Sequence, residues 1–245
     1  MHGITYFGWE VEFYCPTLTN DGSVTFNNVK YNETYHSVSG ALEEAFEKFA
    51  KPCKLKNGMR VLDVCFGLGY NSLAAISLAN VEIVALENDT AILKQIKNTE
   101  MPLDYKFNNN QLKNNSLENN YNKKYPASEM LNHNYEKIKI AAEKLNYEDD
   151  KIKIKIILGD ARETIKNLNQ KFDAAFLDPF SPKKCPELWT ERFFKDIRKL
   201  MKQNSVLTTY SCAKIIRNNL VNAGFNVKDG PSIGRRAPST IAYAL

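Results

Sequence analysis

Asp178 is the residue whose neighbours best equip it for chemistry. It closes a short apolar run, residues 172–177 (FDAAFL), and opens Asp178-Pro179-Phe180. In an open parallel sheet, ligands bind beyond the carboxyl ends of the strands, so a carboxylate at such a tip faces a reaction cleft. Pro179 biases Asp178 toward extended backbone and removes one amide donor. Phe180 adds an aromatic face, and Lys183 and Lys184 in the following Ser-Pro-Lys-Lys add positive charge. The combination suits a planar, electron-rich substrate carried on an anionic polymer. The same stretch also fits a plain strand exit with a turn-forming Asp-Pro.

Residues 59–71, MRVLDVCFGLGYN, carry a second set. An apolar strand runs into Gly67 and Gly69, and a helical pattern follows over 72–79. Glycines at a strand-to-helix turn let backbone approach a ligand, and the helix start offers free N–H groups. The third glycine of a dinucleotide fingerprint is missing, so the surroundings must decide. About two dozen residues after Asp63, the strand at 81–86 ends in Glu87, where an acid binds ribose hydroxyls. The strand at 152–158 ends in Gly159-Asp160. Acids at successive strand tips supply the acceptors a nucleoside-bearing cofactor needs for its ribose hydroxyls and adenine amino group.

The elements that hold these residues read as an α/β fold: a Rossmann-like sheet with an N-terminal β-hairpin and helix extension and an Asn/Lys-rich insertion. The division expected is an extension over 1–57 and a main domain over 58–245, with the insertion at 101–150. Strands at 9–14 (WEVEFY) and 23–31, joined through Asn20-Asp21-Gly22, give a hairpin pattern. Ser39 is positioned to cap a helix over 40–50, where Glu43 and Glu44 complement the dipole and Leu42, Ala45, Phe46 and Phe49 form the core face. Asparagine density disfavours regular structure early in the insertion. A helical stripe of Ile138, Ala141, Ala142 and Leu145 follows at 133–145. Lys123, Lys124, Lys137 and Lys139 there form a solvated face or grip an anionic polymer. A helix at 189–201, a strand at 205–210, a helix at 213–223 stopped by Gly224, and a strand pair at 225–228 and 240–245 complete the chain.

Composition excludes more than it selects. At 245 residues with a formal charge of +5, the chain suits one α/β domain, and the charge alone does not argue for nucleic acid. No run is apolar enough to span a bilayer and the first residues lack a leader pattern, so a cytoplasmic protein is expected, with no membrane association. Five scattered cysteines without a CxxC pair, and three histidines apart from them, point to reduced thiols and no metal site.

The order of a GxG turn, an acid after the second strand, Gly-Asp after the third and Asp-Pro-Phe after the fourth resembles the class I S-adenosylmethionine-dependent methyltransferases. More narrowly, YNETYHSVSGALEEAFEKF, CFGLGYN, FLDPFSPKKCPELWT, SCAKIIRNNLVNAGF and GRRAP resemble the tRNA 5-aminomethyl-2-thiouridine methyltransferase family, the methyltransferase half of bifunctional MnmC and its stand-alone relatives. The likeness spans most of the chain outside the insertion. It implies S-adenosylmethionine at Asp63, Phe66, Gly67, Gly69, Asn71, Glu87 and Asp160. It also implies catalysis at Asp178, which orients a neutral amine, and at Phe180, which stacks on a uracil of the tRNA anticodon stem-loop. Substrate contacts are expected at Tyr35, beside Glu33, His36 and Ser37, and at Lys183, Lys184, Arg235 and Arg236. No FAD-dependent half is apparent in the sequence, so the expected reaction is methylation alone. An aminopropyltransferase of the polyamine-synthase type and a non-catalytic tRNA-binding module share the scaffold. The first would want several acids in the cleft, against which Ser-Pro-Lys-Lys argues. An adenine-N6 methyltransferase would want Asp/Asn-Pro-Pro-aromatic in place of Asp-Pro-Phe-Ser.

Overall fold

The computed structural model describes residues 14–102 and 128–245. Its centre is an eight-stranded sheet in the order β10-β11-β9-β8-β4-β5-β7-β6. The strands are β4 (Arg60–Val64), β5 (Glu82–Glu87), β6 (Asn146–Glu148), β7 (Lys153–Leu158), β8 (Phe172–Leu177), β9 (Met201–Thr209), β10 (Phe225–Asp229) and β11 (Thr240–Ala244). The five middle strands from β9 to β7 run parallel, and β6, β11 and β10 add antiparallel pairs at the two edges. Chain order reverses between β4 and β8, which is where an open sheet parts to make a ligand crevice. Val64 pairs with Leu86 on one side and Leu177 on the other. The tips of the three central strands are therefore level.

Side chains alternate across these strands, as a two-sided buried sheet requires. Val61, Ile83, Ala85, Ala174 and Phe176 face one core, under α1 (Ala41–Glu44), α2 (Tyr70–Leu78), α3 (Thr90–Ile96) and α4 (Ser128–Lys144). Leu62, Val84, Leu86, Ala175 and Leu177 face the other, under α5 (Ala161–Thr164), α6 (Glu191–Leu200) and α7 (Lys214–Asn222). Period 2 puts the side chains of Asp63 and Glu87 on the α2 side, above the strands that carry them.

The N-terminal segment differs from its sequence reading. A three-stranded antiparallel sheet forms from β1 (Pro16–Leu18), β2 (Val24–Asn28) and β3 (Glu33–Thr34). Tyr14 precedes β1 and is not in a strand, and residues 9–13 lie outside the described residues. Ser39 does not cap α1. The hairpin turn does so from a distance: Asp21 Oδ2 accepts the Glu43 N–H at 2.9 Å and Ser23 Oγ accepts the Ala41 N–H at 3.2 Å. The expected helix over 40–50 begins as α1 but continues as a π-helical turn (Ala45–Ala50) and a 3-10 turn (Lys51–Cys53).

Elsewhere the expected elements form with shifted ends. The last parallel strand starts at Met201, consuming the end of the helix expected over 189–201. Helices α3 and α5 and strand β6 add to the elements expected from the sequence. Helix α4 buries Ile138, Ala141 and Ala142 against the main core, so this part of the insertion is built into the domain. The asparagine-rich stretch lies outside the described residues.

Candidate active site

Two clefts meet at Asp178-Pro179-Phe180. The first, about 750 Å3 counting its mouth, is lined by the strand-tip residues Cys65, Gly67, Glu87, Gly159 and Asp160. The second, about 670 Å3, lies toward α1 and is lined by Glu33, Glu44, Lys48, Tyr210 and Arg235. Tyr35, His36, Asp178, Pro179 and Phe180 border both. A group bound in one cleft can thus reach a group bound in the other across a single wall.

That wall is braced on every side. The Asp178 N–H donates to Val64 O at 3.1 Å, which continues the β4–β8 ladder past the last strand residue. The Tyr210 hydroxyl donates to Pro179 O at 3.0 Å, and Trp189 Nε1 donates to Phe180 O at 2.9 Å. Glu33 accepts from the Ser181 hydroxyl at 2.9 Å, tying β3 to the loop. The Phe180 ring lies 4.7 Å from Tyr31 and 5.0 Å from Tyr35 between centroids, an aromatic cluster facing the first cleft.

Asp178 itself is an unusual carboxylate. Asn71 Nδ2 donates to its Oδ2 at 2.8 Å. Burial and the nearby Glu44 nevertheless push its proton affinity well above the usual carboxylate range, with Asn71 and Lys48 pulling the other way. Glu44 is ion-paired to Lys48, whose side chain is only 4% exposed. The π-helical turn carries Lys48, and such insertions into a helical repeat recur at functional sites.

Glu87 anchors the first cleft. Its Oε2 accepts the Gly67 N–H at 2.7 Å, and its Oε1 accepts those of Asn88 and Asp89 at 2.8 Å each. Burial still raises its proton affinity. Asp89 caps α3 through Oδ1 and receives Tyr14, Asn28 and Tyr35 on Oδ2, joining the small sheet to the β5 tip. Asp160 caps α5 and pairs with Arg162, which holds its carboxyl below the ordinary range. Gly159, with φ +134°, opens the backbone beside it.

The residues expected to touch a cofactor divide into two groups. Gly67, Glu87 and Asp160 line the first cleft. Asp63, Phe66, Gly69 and Asn71 do not: each is nearly or fully buried beneath the turn. Asp63 takes the Ser72 hydroxyl at 2.6 Å, and burial pushes it up to about 7. Gly69 is needed for packing, since at φ +76° an added Cβ would stand 2.6 Å from Ile138 and 2.8 Å from Phe66. Asn71 serves the site through Asp178.

Among the expected substrate contacts, Tyr35 and Arg235 line the second cleft. Lys183, Lys184 and Arg236 are exposed and border neither cleft. Ser-Pro-Lys-Lys therefore does not weigh against an aminopropyltransferase, since its lysines lie outside the cleft beside Asp178, where Glu33 and Glu44 stand with Lys48 and Arg235. Lys137 and Lys139 are engaged with Asp149 and Glu136, while Lys123 and Lys124 lie outside the described residues. Sequence reasoning missed Asp89, Glu44 and Lys48 as site residues. Only Asp89 left a usable trace, as the cap residue of Asn-Asp-Thr just after the Glu87 strand tip.

The first cleft suits the nucleoside cofactor that the strand order implies. An added Gly67 Cβ would point toward Tyr35 and His36, 3.4 and 3.8 Å away, so the glycine keeps that space free. Such a sheet, with a glycine turn before α2 and acids at the tips of β5 and β8, defines the Rossmann-like S-adenosylmethionine-dependent methyltransferases. A family model described as S-adenosyl-L-methionine-dependent methyltransferase matches residues 122–244. The crystal structure of MnmC2 from Aquifex aeolicus aligns with a TM-score of 0.75 and 31% identity over 95% of this chain and 71% of that one. The chain belongs to this methyltransferase family, in its MnmC-like branch.

An uncharacterised protein of Methanocaldococcus jannaschii is 36% identical over 228 residues, 92% of this chain and 58% of that protein. The tRNA 5-methylaminomethyl-2-thiouridine biosynthesis bifunctional protein MnmC of Ralstonia nicotianae is 27% identical over 244 residues, 93% of this chain and 34% of that protein. The chain thus spans between a third and three fifths of these relatives. Spermidine synthase from Thermotoga maritima, 13% identical with a TM-score of 0.51 over 94% of this chain and 71% of that one, shares the fold alone. Among the described residues, no helix is long and apolar enough to cross a membrane, and no group of three or more potential ligands could hold a metal ion.

Proposed function

We propose that this chain transfers a methyl group from S-adenosylmethionine to the nitrogen of a 5-aminomethyl group on the wobble uridine of tRNA, in the anticodon stem-loop. The observation that carries this reading is the shared wall of the two clefts. A nucleoside-binding cleft on one side and a cleft of mixed charge on the other, with Glu33, Glu44, Lys48 and Arg235, meet at a single carboxylate and an aromatic ring. The relatives of the MnmC-like branch, which include a protein of tRNA 5-methylaminomethyl-2-thiouridine biosynthesis, supply the substrate class.

When bound, S-adenosylmethionine supplies an electrophilic methyl on a sulfonium whose leaving thioether is neutral. Glu87 would hold the ribose hydroxyls, with Gly159 and Asp160 at the adenine end. The substrate amine arrives as an ammonium, which cannot attack. Asp178, with proton affinity raised by burial and by Glu44, is a far better proton acceptor than an ordinary aspartate. It takes one ammonium proton, frees the nitrogen lone pair and keeps the amine aimed across the wall. The freed lone pair could then form a carbon–nitrogen bond to the methyl that S-adenosylmethionine would supply, with the carbon–sulfur electron pair leaving on the neutral thioether. Glu44 then faces the cationic secondary amine that results, and Asp178 returns its proton to solvent when the product leaves, which restores its charge for the next turnover. Alignment of the reacting atoms supplies most of the acceleration, and Phe180, which borders the second cleft as well as the first, offers a face there for the uracil.

Incubating the purified chain with S-adenosylmethionine and tRNA bearing 5-aminomethyluridine, without FAD, tests this. The nucleoside digest should gain 5-methylaminomethyluridine. Aminopropylation of a free polyamine from the decarboxylated cofactor, with tRNA unchanged, would overturn the assignment in favour of the aminopropyltransferase.

A further inference from the structure

Four buried side-chain atoms lack a hydrogen-bond partner among the described residues, and of these only His36 Nε2 belongs to a residue that lines the clefts. His36 is 8% exposed. Its backbone N–H donates to Thr25 Oγ1 at 3.0 Å, and its ring lies 5.0 Å from that of Tyr70, so the imidazole is fixed. Burial lowers its pKa to about 4, against the opposing pull of Glu44 and Asp21, so the ring is neutral near pH 7. A buried polar atom without a partner carries a desolvation cost, which a ligand group would remove.

The chemistry around the ring selects that group. Among the described residues, the first cleft is lined by the carboxylates of Glu87, Asp89, Asp160, Asp178 and Glu187 and by no lysine or arginine. A sulfonium, an ammonium and ribose hydroxyls are welcome among such acids. A carboxylate is not, and it needs a donor that no cation there provides. The Gly67 N–H is already committed to Glu87. His36 Nε2 stands 3.8 Å from where a Gly67 Cβ would lie, beside the glycine turn.

We propose that His36 is a cofactor-contact residue whose Nε2–H donates a hydrogen bond to the α-carboxylate of S-adenosylmethionine. The proposal rests on the reading of the first cleft as the cofactor site. His36 then distinguishes the intact cofactor from one that has lost its carboxylate, and so sets the chain toward methyl rather than aminopropyl transfer.

Calorimetric titration of the full chain with S-adenosylhomocysteine and with 5′-methylthioadenosine, which lacks the amino-acid end, tests it. His36→Phe keeps a ring against Tyr70 but removes the donor. It should weaken S-adenosylhomocysteine about tenfold or more, a typical loss for a charge-assisted bond, and leave methylthioadenosine unaffected. His36→Gln, which retains a donor, should recover part of the loss. Equal weakening of both ligands would mean a structural role, and no weakening of either would remove His36 from the site; each overturns the proposal. A wild-type chain that binds neither ligand instead refutes the reading of the cleft, and the proposal falls with it. The unaltered protein gives a second readout: the His36 imidazole resonances should move with S-adenosylhomocysteine and stay put with methylthioadenosine.

Discussion

The side-chain amide of Asn71, in the first turn of α2, donates to Asp178 Oδ2 at 2.8 Å, joining the glycine turn to the tip of β8. That bond favours the ionised form of a carboxylate which burial and Glu44 push toward neutrality. If Asp178 accepts the substrate proton, Asp178→Ala should depress turnover at least about a hundredfold while cofactor affinity stays nearly intact. Asp178→Asn separates orientation from proton transfer: it keeps the shape and cannot take a proton, so it should be as slow as the alanine variant. Asn71→Ala should lower turnover more mildly, about tenfold. Normal turnover in Asp178→Ala would leave Asp178 as a plain strand exit.

The pH dependence has a defined sign. A proton acceptor works above its pKa, so activity should fall on the acid side at a pH above the ordinary carboxylate range. Glu44→Gln removes the charge that opposes ionisation of Asp178 and leaves Lys48, which favours it. The acid limb of kcat should therefore move to lower pH in Glu44→Gln and to higher pH in Lys48→Met. Superimposable profiles for the three proteins would disconnect the Glu44–Lys48 pair from the reaction.

How much of this site was legible depends on whether a residue's role is local. Asp178, Glu87 and Asp160 could be read because strand-tip acids follow from short apolar runs and the crevice rule. Lys183 and Lys184 misled, since adjacency to Asp178 in the chain says nothing about direction once Phe180 is anchored by Trp189. Glu44 passed for a helix-dipole residue, and Lys48 lies on a π-helical turn that shifts its phase from the α-helical pattern. The capping of α1 by Asp21 joins residues 22 apart and leaves no pattern in the helix itself.

Glu87 holds three backbone N–H groups as well as facing the cleft, so its removal should have two effects. Glu87→Gln preserves the volume and one acceptor oxygen. It should weaken S-adenosylmethionine binding by one to two orders of magnitude, roughly 1.5–3 kcal/mol, and lower the melting temperature. Unchanged affinity in a titration would take Glu87 out of the cofactor site.

Asp63 predicts a dependence of stability on pH. Its pKa in the folded chain is about 7, above the roughly 4 of an unfolded aspartate. Between those values the folded chain keeps a proton that the unfolded chain has lost, so stability falls as pH rises from about 4 to 7 and stays low above. Glu87 and Asp178, also raised, act in the same direction. From pH 5 to 8 the Asp63 share is about 2–3 kcal/mol. Urea unfolding should show the wild type losing stability over that interval and Asp63→Asn losing less; equal losses would place Asp63 ionised in the fold.

Arg235 and Arg236 are neighbours with different surroundings. Both are exposed, but Arg235 lines the second cleft, lies 5.9 Å from the Tyr210 ring centroid and donates to the Tyr210 carbonyl, whereas Arg236 does not border the cleft. A guanidinium so placed can meet a phosphate beside a uridine held at Phe180. Arg235→Ala should raise the Michaelis constant for tRNA about tenfold with little change in turnover. It should also reduce the slope of log affinity against log salt by about one. Arg236→Ala, Lys183→Ala and Lys184→Ala should each change the Michaelis constant far less. Steady-state rates at about 50 and 200 mM salt measure both quantities. If Lys183→Ala or Arg236→Ala proves the more damaging, the tRNA backbone crosses outside the second cleft, and Glu44 and Arg235 do not frame the substrate.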